Sequence, residues 1–338
     1  MAMTIYDISK KAGVSIATVS RVLNGSENVR PSTRKKVMDV IDKYDYTPNA
    51  FARGMGLHSL KTIGILCADS SDLFLAKAVY FLEQELQANG YESLLCCTGY
   101  NPDIKKNYLN LILSKKVDSI ILVGSHFIGF NEDENQYIKD VSTQVPIMLL
   151  NASFDHPNVY STLCDDYGTM FEAATEMIRS GITDILYLYD SKSYSGLKKL
   201  HGFCDAMKEY NIPGFEKLIH FYDGNIEHLN EVADFVARIA TKGTSFHGIM
   251  TSDDSLAIGS IKYAQKKGIR IPEELSVMGY NNSMLTNCCT PELTSVDNRL
   301  ETLTHQLVQT LLGVLAGEEM PKKSIFSGKI IKRGTTLF

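Results

Sequence analysis

No stretch of this 338-residue chain approaches 18 consecutive apolar residues, so no segment reads as a transmembrane helix. The opening residues, Met1 to Asp7, show no basic stretch followed by an apolar run, and no secretory leader is expected. Cysteine is sparse: seven residues, an odd number, with two adjacent pairs (Cys96-Cys97 and Cys288-Cys289) and no C-x-x-C. That usage argues against a disulfide framework or a zinc site and for reduced thiols in a cytoplasm. The usual enzyme motifs are missing too. There is no G-x-x-x-x-G-K-[ST] phosphate loop, no G-x-G-x-x-G after a strand, no H-E-x-x-H and no G-x-S-x-G. The eight His are dispersed without metal-ligand spacing. No catalytic residue, metal or cofactor is assigned, and the chain is not read as an enzyme.

What the chain does have is an uneven distribution of charge. Residues 1–61 carry ten basic and five acidic side chains, a balance of +5, whereas the whole chain is −5; the other 277 residues therefore hold −10. A basic head on an acidic body suits a polyanion-binding module attached to a second function.

The head has helical periodicity. Thr4-x-x-Asp7 has the spacing of a capping box, and Ile5, Ile8 and Ala12 share one face before a break at Gly13. Ser15 is placed to cap a second helix, running through Leu23, that buries Val19, Val22 and Leu23. A third opens at Pro31, with Val37, Val40, Ile41 and Tyr44 as its stripe. Two short helices joined at a Gly turn and backed by a third make a helix-turn-helix.

From Thr62 the period changes. Eight β-rich runs (Ile63–Ala68, Ser93–Thr98, Ser119–Gly124, Pro146–Asn151, Ile185–Tyr189, Leu218–Tyr222, Gly248–Thr251 and Leu275–Tyr280) alternate with amphipathic helical stretches. Such alternation means parallel sheets with crossover helices, and eight runs suit two doubly wound sheets. Asp155-His156-Pro157-Asn158 interrupts the pattern and is read as the break between them. Asp165-Asp166 and Asp253-Asp254 each stand at a strand end before a helix; one member of each is expected to cap that helix and the other to be free to face a ligand crevice.

The run Ile5-Tyr6-Asp7-Ile8-Ser9-Lys10-Lys11-Ala12-Gly13-Val14-Ser15-Ile16-Ala17-Thr18-Val19-Ser20-Arg21-Val22-Leu23-Asn24 strongly resembles the lactose-repressor/galactose-repressor family of bacterial transcription regulators. So do Tyr46-Thr47-Pro48-Asn49-Ala50-Phe51-Ala52-Arg53, Ala257-Ile258-Gly259, Ser276-Val277-Met278-Gly279-Tyr280-Asn281 and Pro291-x-Leu293-Thr294, at the spacings expected over nearly the whole chain. The resemblance implies an α/β protein with an N-terminal three-helix headpiece (1–47) and a hinge helix with linker (48–61). A core of two doubly wound lobes (62–338), like a type I periplasmic binding protein, would follow. The N-lobe is expected over about 62–160 and 292–323, and the C-lobe over about 161–291 and 324–338. The implied protein is a cytoplasmic homodimer that binds palindromic double-stranded operator DNA and represses a metabolic operon under the control of a small-molecule effector. That effector is expected to be a sugar or sugar derivative, with a cytosolic solute-binding or nucleoside-responsive regulator as the alternative.

In the headpiece, Ile16, Ala17, Thr18, Ser20 and Arg21 face outward on the second helix, where its N-terminal residues reach base edges in the major groove. Arg21 suits a bidentate contact with guanine, and Ile16 and Ala17 suit thymine methyls. Thr4, Ser15 and Asn24 suit phosphates, which position a protein without specifying sequence. Asn49, Ala52 and Arg53 belong to the hinge, and Met55 occupies, by resemblance, the position of the apolar lever that wedges into the central base step. The resemblance places effector contacts at Phe74, Leu75, Ser125, Ser193, Ser195, Lys199, Asp253 and Asn281. Lys199 stands where the family usually has Arg, and Asn281 where it usually has Asp. Both departures are read as favouring a ligand with carboxylate, phosphate or amide functions over a neutral sugar, with Lys199 facing Asn281 from the opposite lobe.

Met55→Ala should abolish the wedge and most operator affinity while leaving effector affinity unchanged, as gel retardation and calorimetry on one preparation will show. Operator affinity equal to that of the parent would remove Met55 from the DNA contact.

Overall fold

The computed structural model describes residues 3–23, 26, 28–46 and 59–338. Asn24, Asn49, Ala52, Arg53 and Met55 lie outside the described residues, as does the rest of the expected hinge helix.

The headpiece is three helices: α1 (Ile5–Ala12), α2 (Ile16–Leu23) and α3 (Pro31–Lys43). The capping box of α1 is complete. The Asp7 amide donates to Thr4 Oγ1, and Thr4 donates from its backbone N–H to Asp7 Oδ2 at 3.0 Å. Gly13 ends the helix at φ 66°, a left-handed conformation that glycine adopts without a Cβ penalty. Ile8, Val19, Val22, Val37 and Ile41 close a core between the three helices. The other apolar positions selected by their 3.6-residue period, Ile5, Ala12, Leu23 and Val40, pack against this core, but Tyr44 does not: it follows the last turn of α3, is 39% exposed and lies under the Lys11 ammonium.

The body holds two six-stranded sheets. The first contains β1 (Thr62–Cys67), β2 (Glu92–Cys97), β3 (Ser119–Val123), β4 (Ile147–Leu150), β5 (Val159–Cys164) and, from near the C-terminus, β11 (Lys323–Phe326). Its order is β11-β5-β4-β3-β1-β2, parallel throughout. The second contains β6 (Ile185–Tyr189), β7 (Ile219–Phe221), β8 (Gly248–Thr251), β9 (Ser276–Tyr280), β10 (Thr294–Asp297) and β12 (Lys329–Ile331). Its order is β12-β10-β9-β8-β6-β7, with only β12 antiparallel. Crossover helices cover the sheets: in the first lobe α4 (Leu73–Ala88), α5 (Pro102–Ser114) and α6 (Gln136–Ser142). The second lobe has α7 (Asp166–Arg179), α8 (Tyr194–Glu209), α9 (Leu229–Thr241) and α10 (Asp254–Lys267). The last helix, α11 (Leu300–Leu315), returns to the first lobe and buries Leu303, Leu307 and Leu311 in a cluster with Leu75, Leu82 and Leu86 of α4.

The lobe boundaries differ from the sequence reading. Asp155–Asn158 is a loop within the first lobe, because β5 follows it and pairs with β4. The chain crosses between lobes after Cys164, again between Asp297 and Leu300, and a third time between Phe326 and Lys329. Residues 161–164 and 324–326 therefore belong to the N-lobe, and β10 to the C-lobe. The four strands without a sequence signal are short or partly polar. Their pairing is decided by neighbours far away in the chain, which a local pattern does not record.

Helix α8 lies against α7 at a contact that only glycine allows. A Cβ at Gly202 would stand 2.3 Å from the Tyr167 carbonyl oxygen, a backbone atom that cannot swing aside. Gly202→Ala should therefore cost about 1–3 kcal/mol through overpacking, more than the ~1 kcal/mol that alanine adds to helix propensity. Urea unfolding should show a lower midpoint at unchanged slope; a raised midpoint would mean that the two helices move apart freely.

Candidate DNA-binding face and interlobe ligand site

Helix α2 presents Ser15, Ile16, Ala17 and Arg21 to solvent and turns Val19 and Val22 into the core. Ile16 is 39% exposed, so this β-branched side chain is on the outward face and not part of the headpiece core. Ser15 caps the helix: its Oγ accepts from the Thr18 amide at 3.2 Å and lies 2.9 Å from Thr18 Oγ1. Thr18 and Ser20 are half-buried on the flank. Thr4 is exposed, but its hydroxyl donates to Asp7 Oδ2 at 2.7 Å. That proton is committed to the helix cap, so Thr4 offers a phosphate little through its side chain.

The second site lies where the carboxyl ends of the two sheets face each other, the edge at which parallel α/β sheets bind ligands. All eight expected effector positions, Phe74, Leu75, Ser125, Ser193, Ser195, Lys199, Asp253 and Asn281, line one chamber there. Its volume is about 90 Å³, and it opens into a vestibule of about 710 Å³ with which it shares Asp72, Tyr100, His126, Asp190 and Asp253. The combined cleft has the size usual for small-molecule sites, about 300–1,000 Å³. The lobes touch across it: Ser125 Oγ, from the first, donates to Ser193 Oγ, from the second, at 2.8 Å.

Each side chain is held by its element. Ser193 caps α8, accepting from the Gly196 amide at 3.3 Å. Ser195 donates at 2.5 Å to Asp166, which also accepts from the Tyr280 hydroxyl at 2.6 Å. Asp165 caps α7 through the Gly168 amide. In the other doublet Asp253 caps α10 through the Ser255 amide at 2.7 Å, while Asp254 accepts from Ser295 and from the Ser283 amide. The expectation for the doublets is reversed in one respect. Asp166 and Asp254, the members that do not cap, are buried in hydrogen-bond networks, and the cap Asp253 is the one that faces the cleft.

Lys199 and Asn281 also differ from their reading. Both come from the second lobe, on α8 and just after β9, so they do not face each other across the cleft. Lys199 is buried; its ammonium donates to the Ser252 carbonyl at 3.0 Å and sits 3.9 Å above the Tyr280 ring. Asn281 has φ 97° and both ends of its carboxamide engaged. It donates to Asp253 Oδ2 at 2.8 Å and accepts from Asn298 at 3.0 Å.

The anionic ligand expected from these two residues is not what the cleft favours. Against one lysine it sets three carboxylates, Asp72, Asp190 and Asp253. Burial pushes the Asp253 carboxyl up to about 7, with the charges of Asp190 and Asp254 adding to the shift. Burial also raises Asp72, again with a contribution from Asp190. Burial lowers His126, whose imidazole is therefore neutral at ordinary pH. Asp72, Asp190, Tyr100, His126 and Asn151 were missed in the sequence. Asp190 and Asn151 stand at the ends of the β-rich runs 185–189 and 146–151, and position at the end of a parallel strand was the available signal.

The fold and the cleft define a class: a helix-turn-helix headpiece joined to a two-lobed ligand-binding core. Residues 4–49 match the model for bacterial regulatory proteins of the lacI family, and residues 174–336 match that for a periplasmic binding protein-like domain. An HTH-type transcriptional regulator of Lachnoclostridium phytofermentans is 50% identical, covering 99% of this chain and 100% of the relative. Catabolite control protein A of Priestia megaterium is 33% identical, covering 88% and 87%. Among solved structures, a lac repressor dimer bound to operator and the anti-inducer ONPF matches with a TM-score of 0.87 at 21% identity, over 100% of both chains. The complex of the regulator CelR with cellobiose matches at 0.71 and 20% identity, over 98% and 99%. The chain belongs to the lacI family of bacterial regulatory proteins and is a DNA-binding transcriptional regulator.

The raised carboxyls make a pH prediction. A folded-state pKa above the ~3.9 of an unfolded Asp means that ionisation opposes folding. The stability is therefore greatest below pH ~4 and is lost as pH rises through the folded value, about 7 for Asp253. Asp190→Asn keeps an acceptor for the Ser252 hydroxyl (2.7 Å) and removes the charge that raises both neighbours. Calorimetry of the ligand-free variant should show a smaller fall in Tm from pH 5 to pH 8 than the parent shows. An equal fall would mean that the three carboxylates do not interact.

Proposed function

We propose that this regulator is a homodimeric repressor of a metabolic operon, with a polyhydroxylated effector in the interlobe cleft setting its affinity for a palindromic operator. The observation that carries the reading is the convergence of the eight residues implied by the family resemblance, from both lobes, on one acidic, partly aromatic chamber. Carboxylates accept hydrogen bonds only, and sugar hydroxyls supply donors. Phe74 and Tyr100 add apolar faces. The regulator whose structure holds cellobiose, similar in fold, supports a carbohydrate as the effector class. Phosphorylated or carboxylated ligands would meet like charge.

On the DNA side, α2 is the reading helix, with Ile16, Ala17, Thr18, Ser20 and Arg21 toward the bases and Ser15 at the backbone. Arg21 is the sequence-specifying contact, because a guanidinium can donate two parallel hydrogen bonds to one guanine. Exposed Lys10 and Lys36 contribute to the sequence-independent attraction. The hinge positions Asn49, Ala52, Arg53 and Met55 belong to the same proposal.

Retardation of a palindromic promoter fragment tests it. Arg21→Ala should weaken operator binding by about 1–3 kcal/mol and relax preference at one base pair in each half-site. Lys10→Ala and Lys36→Ala should weaken all sequences alike and flatten the salt dependence. Full discrimination between operator variants in the Arg21→Ala protein would overturn the assignment.

A further inference from the structure

The cleft is lined by three carboxylates, which only accept hydrogen bonds, and by one lysine. Asp72, at the start of α4, comes from the first lobe; Asp190, after β6, and Asp253, after β8, come from the second. Asp72 accepts from the Leu75 amide at 2.8 Å, Asp190 from the Ser252 hydroxyl at 2.7 Å, and Asp253 from Ser255 and Asn281. All of these donors are neutral. Among the described residues none of the three carboxylates forms an ion pair. Lys199, the lysine on the lining, is occupied by the Ser252 carbonyl and the Tyr280 ring.

An independent observation points the same way. Asn151, at the end of β4 with φ 61°, lines this chamber, is only 8% exposed, and its carboxamide oxygen has no hydrogen-bond partner. A buried acceptor left without a donor costs about 1–3 kcal/mol, so such atoms are normally satisfied. Its missing partner is a donor. Tyr100, half exposed beside Asp72 and Asp190, presents a ring that attracts cations.

We propose that the effector is an amino sugar, its ammonium held between Asp72 and Asp190 and its hydroxyls donating to Asp253 and Asn151. This rests on the reading of the cleft as the effector site. An ammonium brings three donors and no acceptor, which suits carboxylates that only accept. It also couples binding to closure. Asp72 and Asp190 stand on opposite lobes, and bringing them together costs like-charge repulsion that a cation between them reverses. The ligand therefore binds the closed arrangement better than an open one, which is the condition for it to shift the equilibrium. A neutral sugar satisfies Asn151 but leaves the two charges facing.

Calorimetry on the full chain at pH 7 tests this with three sets of probes: glucosamine and galactosamine, the parent glucose and galactose, and the N-acetyl derivatives. One amino sugar should bind at least about tenfold more tightly than both its parent and its N-acetyl derivative, a difference worth ~1.4 kcal/mol. Asp190→Asn and Asp72→Asn should each remove that preference; asparagine caps a helix as well as aspartate does, so the second variant keeps the start of α4. Retained operator binding checks that both variants are folded. A parent sugar that binds as tightly as its amino derivative overturns the amine and leaves the carbohydrate cleft standing. Failure of every probe, neutral and amino, overturns both.

Discussion

The direction of the parallel strands is the constraint on which the rest of this protein depends. In each sheet the strands β1, β3, β4 and β6, β8, β9 end on the same edge, and the loops that follow them carry the side chains of the cleft. Because three separate segments cross between the sheets, the two edges face each other and remain attached. One ligand can then touch both lobes, and a ligand that does so has a reason to prefer one spacing between them. The Ser125–Ser193 and His126–Ser191 side-chain pairs join the two lobes directly across the cleft.

The connection to the headpiece is made at the other end of the strands. Asp118, just before β3, gathers the incoming chain: it accepts from the Ser59 hydroxyl at 2.9 Å and from the amides of Leu60 and Thr62 at 3.2 and 3.0 Å. The linker is thereby fixed to the first lobe at its amino edge, opposite the cleft. This anchor is part of the same sheet whose other edge lines the cleft.

Electrostatics divides the molecule between its two tasks. The basic headpiece meets a polyanion, and the acidic cleft suits a donor-rich ligand. Net charge by region was visible in the sequence, yet the sign of the cleft was not. Lys199 and Asn281 are departures from a family pattern, whereas Asp72 and Asp190, which set the local charge, belong to no motif in the sequence. Their effect comes from proximity in space: they are 118 positions apart in the chain and close enough for each to be felt in one chamber.

The sequence alone determined the helix-turn-helix, its buried and outward faces, the α/β alternation of the body and the family to which the chain belongs. These are local properties, written in periods of 2 and 3.6 residues, in caps such as Thr4-x-x-Asp7, and in motifs of contiguous residues. The family resemblance also located all eight expected residues of the cleft, most of which follow a strand or open a helix. Tertiary structure decided the rest. It assigned β5 and β11 to the first lobe and β10 to the second through pairings with distant strands. It put Lys199 on the same lobe as Asn281, made a cap of Asp253 and a buried acceptor of Asp166, and left the Asn151 oxygen without a donor. Each of these depends on which atoms from remote segments lie within a few ångströms, and a one-dimensional pattern does not contain that distance.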